Sequence, residues 1–208
     1  MSLWRGTGIT VLIVLISFLL ISMTVASVIT DDTTDVTTEY DLDQMTNEII
    51  NEITSYIQIK DQKGKFFEIN GKQRITKIAL LISPLVSQNI DLSQLTLQLD
   101  NGETVRILTY DGNARNLDSQ SIFEHDIWTS LNGSNFGFIS ICDLDNSIVD
   151  YDSINENSDN AYLIFKLPSD MSMEKYDEMV VTLFPSSGIT THVILKAPMP
   201  MKSVITFE

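Results

Sequence analysis

The hydrophobic pattern of the chain begins with one long apolar run. Residues 9–29 carry no charged side chain. About twenty apolar residues in a helix span roughly 30 Å, the thickness of a bilayer's hydrocarbon core. The run therefore predicts a hydrophobic helix that lies in a membrane or is enclosed by other helices.

A second helical pattern follows this run. Apolar residues recur at spacings of three and four from Leu42 to Ile57, with acids and amides on the other face. That spacing is typical of an amphipathic helix. Because no Gly or Pro lies between Gly8 and Gly64, one long helix, bent or loosened in the Thr/Asp stretch at 30–39, is allowed over this part of the chain.

From residue 63 onward the hydrophobic period changes to two. Turn signals such as Asn70-Gly71 and Asp111-Gly112 separate short β-branched runs. Residues 63–208 are therefore expected to form an antiparallel sandwich or barrel, with one helical turn within 169–178. The fold class is α+β. The expected strands are Phe66–Ile69, Ile75–Ile82, Leu95–Leu99, Val105–Tyr110, Phe136–Ile141, Tyr162–Leu167, Met179–Phe184, Thr191–Leu195 and Ser203–Phe207.

The charged residues limit the possible binding partners and indicate how the apolar run is oriented in a membrane. The net charge of −15 argues against nucleic acid, which requires a basic surface. Arg5 precedes the apolar run and Asp31 follows it, so the positive-inside rule places the bulk of the chain outside the cell. The single cysteine, Cys142, excludes an intramolecular disulfide, and we expect it to be buried in the core.

The apolar run also has an internal pattern. Thr10, Ser17 and Thr24 are spaced by seven residues, which places small hydroxyl side chains on one helix stripe where copies of the helix can approach closely. Chance placement of these residues remains the alternative. Removal of the run after Val25-Ala26-Ser27, as from a signal peptide, also stays open.

Candidate chemistry is sparse. His125 and His192 lie in no recognisable nucleophile or metal motif, and we expect both to be structural. Asp143 and Asp145 begin a stretch that resembles a calcium-binding loop, but the rest of an EF-hand does not follow. They are weak candidates for metal ligands, and a solvated loop is the alternative interpretation. Asn132 opens the single Asn-x-Ser/Thr sequence and is the expected glycosylation site.

Three motifs follow one another along the chain: Arg5-Gly6 before Gly8-Ile9, then Ile90-Asp91-Leu92-Ser93, then Val181-Thr182-Leu183-Phe184-Pro185 with Gly188. Together they resemble the archaellin family, the filament proteins of the archaeal swimming organelle. The first motif is similar to the family's processing site, the second to an internal segment and the third to a C-terminal pattern.

The resemblance implies an immunoglobulin-like β-sandwich outside a core of bundled N-terminal helices. It implies an extracellular filament that rotates for swimming and is a helical polymer of copies of this chain; whether other archaellins also contribute stays open. It implies a membrane-embedded precursor, a prepilin-type peptidase, an assembly motor, no cofactor and no catalysis. The implied processing site is Arg5, Gly6 and Thr7, which separates a short segment at 1–6 from an expected core helix at 7–60. The helix positions expected to pack in the core are Thr10, Leu12, Ile16, Ser17, Phe18, Leu20, Thr24 and Val28.

Two rival functions stay open at this point. An archaeal adhesion pilin would have a similar helix and a different task. A single-pass membrane protein of the stator type would keep the apolar helix as an anchor and expose a β-sandwich. An enzymatic function is the least favoured hypothesis, because neither histidine belongs to a catalytic motif.

Overall fold

The computed structural model describes residues 44–47, 49–50, 55–69, 71–118, 121–186, 188–199 and 202–207. The chain divides into two compact units, Met1–Glu48 and Ile49–Glu208. Residues 44–47 of the first unit are helical, as are residues 49–50 of the second. Across the described ranges, no helix has the length and apolar character needed to span a bilayer. The apolar run at 9–29 lies outside these ranges.

The second unit consists mostly of β-strands. In its described part from residue 55 onward, the strands are joined by the short α-helix Ser147–Tyr151 and by the 3-10 helices Leu92–Gln94, Ile122–Glu124, Asp126–Thr129 and Ser169–Met171. The described strands are β1 (Ile57–Ile69), β2 (Lys72–Pro84), β3 (Ile90–Asp91), β4 (Thr96–Asp100), β5 (Val105–Asn116), β6 (Asn135–Cys142), β7 (Ser153–Ile154), β8 (Asn160–Lys166), β9 (Glu178–Phe184), β10 (Thr191–Lys196) and β11 (Val204–Thr206).

The expected helix over 7–60 is wrong at its C-terminal end. Residues 57–60 belong to β1, which pairs with β2 from Ile57 opposite Pro84 onward. Ile57 is buried in the core of the sheet unit. Pairing and burial therefore override a local helical spacing that continues to Ile57, and the β-domain begins at residue 57 instead of 63.

Nine of the described strands form one sheet in the order β10-β9-β4-β5-β6-β8-β2-β1-β11, and β3 pairs with β7 separately. Every pair in the large sheet is antiparallel except β5 with β6, which run parallel. The expectation of a wholly antiparallel sheet is therefore wrong at this pair. The connection between the two strands, residues 117–134, is long enough for the crossover that parallel neighbours require.

Asp111-Gly112 does not turn the chain, contrary to the sequence expectation. β5 continues through these residues to Asn116, with a register shift between Tyr110 and Ala114 against β6. Gly112 has a φ of 72°, a conformation that glycine adopts without strain. The Asp-Gly pair, which favours a turn, here forms a bulge inside a longer strand.

One face of the sheet encloses the main core. Inward side chains from all nine strands belong to one buried apolar cluster, and Phe136, Phe138 and Phe165 are its largest fully buried members. The two halves of the sheet approach each other where the Thr191 hydroxyl donates a hydrogen bond to the Ile57 carbonyl at 2.9 Å. The sheet thus curves around its own apolar face.

The outward face of β2, β6 and β8 is covered by the cover segment, residues 121–131. Phe123 and Trp128 of this segment stack with ring centroids 5.9 Å apart and bury a second apolar cluster against the strands. The Lys77 ammonium donates to the Phe123 carbonyl at 3.2 Å and lies 4.7 Å from the centroid of the Trp128 ring. Lys166 donates to the Leu131 carbonyl at 2.8 Å. Lysines of two neighbouring strands therefore donate hydrogen bonds to backbone carbonyl groups of the cover segment.

The end of the chain packs beside the first strand. β11 pairs with β1, Ile205 lying opposite Gly64. A Cβ on Gly64 would meet the Phe207 ring at 2.9 Å, so the glycine leaves the space that this ring occupies. The Phe207 amide donates to the Gln62 carbonyl at 2.9 Å.

Cys142 differs from its sequence expectation. It is half-buried at the end of β6, not buried in the core. A register shift between Ser140 and Cys142 against β8 interrupts the alternation that would have placed its side chain with the core residues.

Candidate functional site

Most of the predicted assembly positions lie outside the described residues. This applies to the processing residues Arg5, Gly6 and Thr7 and to the helix positions Thr10, Leu12, Ile16, Ser17, Phe18, Leu20, Thr24 and Val28. They stay predictions. The β-domain contains the other candidates: the motif at 90–93, the acidic loop at 143–159, and Asn132.

The Ile90-Asp91-Leu92-Ser93 motif has a packing role that its residues explain. Ile90 and Leu92 are buried in the main core, whereas Asp91 and Ser93 face outward. One Asp91 carboxylate oxygen accepts hydrogen bonds from the Ser93 amide at 2.9 Å and the Ser93 hydroxyl at 2.6 Å. This contact caps the 3-10 helix Leu92–Gln94. The motif thus fixes a tight change of direction between two core contacts.

The same motif is tied to the acidic loop. β3 pairs with β7 through Ile90 opposite Ile154, and the Leu92 amide donates to the Asp152 carbonyl at 2.8 Å. The Tyr110 hydroxyl donates to the Asp152 carboxylate. Burial, together with this carboxylate, raises the pKa of Tyr110, so the phenol remains protonated. Sequence reasoning missed these contacts because strands of two residues give no periodic signal.

The carboxylates of the acidic loop are bound by protein donors. Asp143 accepts from the Ser147 amide at 3.0 Å and the Ile148 amide at 2.9 Å. Asp145 accepts from the Asn155 side-chain amide at 2.7 Å and from Ser147 at 3.1 Å. Burial raises the pKa of Asp143, whereas the Asn155 and Ser147 donors lower the pKa of Asp145 to about 2. The loop is thus an ordered hydrogen-bonded turn.

Asp159 is the most buried acid of this loop, with 1% of its surface exposed. One of its carboxylate oxygens accepts from the Asn155 amide at 3.1 Å and the Glu156 amide at 2.9 Å. The other has no hydrogen-bond partner among the described residues. Within that part of the chain, no three carboxylate, histidine or cysteine side chains converge in the arrangement of a metal site.

We predict that Asp145 contributes stability that acid removes. Its folded pKa of about 2 lies below the ordinary 3.8, so its contribution is present above about pH 4 and disappears as the pH falls through about 2. The Asp145→Ala variant should therefore be less stable than the parent at pH 7, and the difference should vanish near pH 2. Equilibrium unfolding across this pH range measures it. A carboxyl titration midpoint at or above 3.8 for Asp145 would contradict the assignment.

Asn132 lies in an exposed turn before β6. Its side-chain oxygen accepts a hydrogen bond from the Ser134 backbone amide at 2.7 Å. Its backbone amide donates a hydrogen bond to the Asn135 side-chain oxygen at 2.7 Å. A Cβ at Gly133 would approach the Pro168 Cα to 3.0 Å, so the turn sits close to the segment after β8. The side chain is accessible from solvent.

The two histidines have different surroundings. The ring of His125 is buried; its Nδ1 accepts from the Ile127 amide at 3.2 Å, and its Nε2 lies 3.2 Å from the Asn116 carbonyl oxygen. Backbone groups thus engage both ring nitrogens, and the side chain caps the 3-10 helix Asp126–Thr129. It borders an open polar pocket of about 550 Å³. His192 is exposed on β10.

The fold of the β-domain is similar to that of solved archaeal flagellar proteins. A crystal structure of archaeal flagellin FlaB1 from Methanocaldococcus jannaschii overlaps with a TM-score of 0.64 at 22% identity, over 73% of this chain and 95% of that one. The archaeal flagellum of Methanospirillum hungatei strain JF1 overlaps with a TM-score of 0.53 at 12% identity, over 97% of this chain and 99% of that one. A comparison with curated protein sequences found no match.

The archaeal-type flagellin family model matches residues 6–194, and the chain belongs to that family. It is a structural subunit of the archaellum filament, and the assembled subunit is extracellular. The periplasmic stator protein FlaG from Sulfolobus acidocaldarius overlaps with a TM-score of only 0.38 at 9% identity, over 67% of this chain and 97% of that one.

Proposed function

We propose that the chain polymerises through an N-terminal helix that begins at Thr7, while the β-domain from residue 57 forms the outer wall as an immunoglobulin-like sandwich. The observation that carries this proposal is the family match over residues 6–194, which includes the apolar run. Two residues of the amphipathic stripe, Met45 and Ile49, are more than half exposed. Apolar helix positions that the chain does not bury itself favour packing against other subunits.

Assembly then exchanges lipid contacts for protein contacts. In the precursor the apolar run lies in the membrane, and in the filament it packs against the helices of neighbouring subunits. Hydrocarbon tails are as apolar as leucine, so close approach of helices, not hydrophobicity, must distinguish the two states. Small hydroxyl side chains at positions 10, 17 and 24 permit that approach. Asp31, just beyond the run, is placed where water or partners remain.

Processing is the second part of the proposal. A prepilin-type peptidase would cleave after Gly6, and the assembly motor would then add the subunit that begins at Thr7. Intact-mass measurement of subunits from sheared filaments tests this directly. A start at Thr7 supports the proposal. A start at Met1 refutes the cleavage, and a start near Asp31 refutes a helical core formed by the apolar run.

Packing of the helix is tested by adding bulk to the hydroxyl stripe. The Ser17→Phe variant keeps the run apolar, so it should still enter the membrane, but it blocks close helix approach. We expect its amount in sheared filaments to fall about tenfold or more, which corresponds to roughly 1.4 kcal/mol of lost association free energy per tenfold. Leu19→Phe, on the other side of the helix, is the matched control and should assemble nearly normally. Equal filament yields from both variants would show that the hydroxyl stripe is not an assembly surface.

The subunit would act mechanically. Rotation of the filament by a basal motor would give thrust, and no residue of the chain would need to catalyse a reaction. Family membership favours this function over the adhesion pilin and the membrane-anchored stator. Deleting the gene should therefore abolish swimming; a strain that still swims but no longer attaches would favour the pilin.

Glycosylation of Asn132 is a separate proposal, supported by its exposed turn. Peptides from purified filaments should carry added mass at Asn132, and the Ser134→Ala variant should lose it because the hydroxyl of the acceptor sequence is gone. Ser134→Thr keeps the acceptor sequence and should keep the modification. An unmodified Asn132 in filaments from the native cell would refute the proposal.

A further inference from the structure

The turn between β4 and β5 places an amide nitrogen, an amide carbonyl and a carboxylate close together. β4 ends at Asp100 and β5 begins at Val105. Within the turn, Asn101 is followed by Gly102, and the glycine is exposed. In an Asn-Gly pair the backbone nitrogen of the glycine can attack the side-chain carbonyl carbon of the asparagine, because no side chain on the glycine obstructs the approach. The hydrogen bonds of the turn determine how readily this attack proceeds.

The side-chain carbonyl of Asn101 is polarised by the backbone. Its Oδ1 accepts hydrogen bonds from the Glu103 amide at 3.1 Å and from the Thr104 amide at 2.8 Å. The backbone amide of Asn101 donates to the Thr104 carbonyl at 3.3 Å, which closes the turn. Two backbone N–H groups directed at one carbonyl oxygen stabilise the negative charge that develops there when a nucleophile adds to the carbonyl carbon.

The attacking nitrogen is bound to a carboxylate. The Gly102 amide donates a hydrogen bond to Asp100 Oδ1 at 2.8 Å. A carboxylate can take up the proton of its donor, whereas the backbone carbonyl that an amide usually meets in a turn cannot. Apart from the chain neighbours of Gly102, no described atom lies within 4 Å of the position of a Cβ on this glycine. The glycine therefore has space to rotate toward the Asn101 side chain, and water can reach the turn.

We propose that Asn101 reacts with its own backbone and that Asp100 is the general base of this reaction. The Gly102 nitrogen forms a bond to the Asn101 Cγ and passes its proton to Asp100. The Cγ–Nδ2 bond then breaks, the proton moves from Asp100 to the departing Nδ2, and ammonia leaves a five-membered succinimide ring. Water opens this ring at either of its carbonyls, so position 101 becomes an aspartate or the isoaspartyl isomer.

The reaction changes both the charge and the backbone of the turn. Because an amide becomes a carboxylate, each copy that reacts is one unit more negative than the −15 of the unmodified chain. The isoaspartyl product continues the chain through the former side chain, which adds one methylene group to the backbone between β4 and β5. In that product the Glu103 and Thr104 amides lose the oxygen that accepts their hydrogen bonds in the unmodified turn.

A second Asn-Gly pair in the chain serves as a comparison. Asn132 is followed by Gly133, and its Oδ1 also accepts from a backbone amide, that of Ser134 at 2.7 Å. Among the described residues, however, no carboxylate accepts a hydrogen bond from the Gly133 amide. A Cβ at Gly133 would approach the Pro168 Cα to 3.0 Å, so this glycine has less space to rotate. Position 132 thus has the same pair of residues without the base, and we expect it to react more slowly.

Peptide mapping of the purified full chain measures the two positions together. The Ser134→Ala variant keeps Asn132 free of sugar, and its peptides are followed at pH 7 for the mass of the acid and for the isoaspartyl isomer. We expect Asn101 to convert at least about tenfold faster than Asn132, because only Asn101 has a positioned base. Unfolding the chain in urea should remove the difference. Equal rates at the two positions in the folded chain, or faster conversion of Asn101 in the unfolded chain than in the folded one, would overturn the proposal.

Asp100→Asn tests the base separately from the shape of the turn. The variant keeps an oxygen that can accept from the Gly102 amide but cannot take its proton. We expect the conversion of Asn101 to slow by about a hundredfold, a typical contribution of a positioned base. Glu103→Gln removes a neighbouring carboxylate that does not accept from the Gly102 amide, and it should convert at the parental rate. Equal effects of the two substitutions would count against Asp100 as the base.

The pH dependence of the parent chain decides the matter without any substitution at Asp100. With a carboxylate as the base, the rate at Asn101 should stay nearly constant between about pH 6 and 8, because a carboxylate is fully ionised over that range. Asn132 should react faster as the hydroxide concentration rises, because its reaction depends on hydroxide to remove the proton. A rate at Asn101 that rises with pH as steeply as the rate at Asn132 would refute the role of Asp100. The result does not depend on filament assembly, since the reaction requires only the folded turn.

Discussion

Phe138→Ala should lower the free energy of unfolding of the β-domain by about 3–5 kcal/mol. Phe138 is completely buried at the centre of the sheet. Its ring lies 5.7 Å from that of Phe136 in an edge-to-face arrangement and 5.2 Å from the ring of Tyr110. Because packed neighbours relax only in part, truncation removes both the transfer free energy of the ring and the contacts of its neighbours. A loss of this size is a large share of the approximately 5–15 kcal/mol that a domain has.

The matched control lies on the same strand. Ile141 is 43% exposed near the end of β6, and Ile141→Ala should change stability by about 0.5 kcal/mol or less. Denaturant unfolding of the purified full chain, followed by tryptophan fluorescence, measures both variants. Similar losses for the two would show that Phe138 does not occupy the buried position described.

Gly188→Ala should destabilise the domain by about 2–5 kcal/mol, the sum of a backbone and a packing contribution. Gly188 has a φ of 106°, which side chains disfavour. An alanine Cβ would also lie 2.7 Å from the Ser55 Cβ and 3.1 Å from the Ser55 carbonyl oxygen. The backbone oxygen cannot rotate away, so the chain before β1 or the loop before β10 must shift.

A second glycine separates the two contributions. Gly102 has a φ of 83°, and none of the described atoms lies within 4 Å of where its Cβ would be. Gly102→Ala should therefore cost only the conformational part, about 1–2 kcal/mol. Thermal unfolding of both variants under the same conditions measures the difference. If Gly102→Ala is as harmful as Gly188→Ala, the contact with Ser55 is not the cause.

The sequence predicts the strands of this domain well where a period of two is clear. Leu95, Leu97 and Leu99 alternate with polar residues and are all buried, and β4 begins at Thr96, directly after the first of them. The hairpin signal at Asn70-Gly71 likewise lies between β1 and β2. Local alternation and turn chemistry suffice at such places because each strand faces one core and turns immediately.

Other features depend on distant residues and leave no local pattern. β1 begins at Ile57 because it pairs with Pro84, although the apolar spacing there also suits a helix. The parallel pairing of β5 with β6 requires the long connection at 117–134, and the spacing of residues within either strand does not reveal it.

The candidate sites show the same contrast between local sequence patterns and contacts with distant residues. The Ile90-Asp91-Leu92-Ser93 motif was found as a family resemblance, but its role required the positions of Asp152 and Ile154 in the fold. The acidic loop was recognised by composition, whereas the partners of Asp145 became apparent only once Asn155 was placed beside it. Hydrogen-bond partners ten residues apart are invisible to motif reading.

The pairing of β11 with β1 has a consequence for the order of folding. Ile205 lies opposite Gly64, so residues about 140 positions apart must meet, and closing so long a loop costs conformational entropy before the contact forms. The hairpin of β1 and β2, by contrast, joins neighbouring segments. We therefore expect the hairpin to form early and the core around Ile205 and Phe207 to close late.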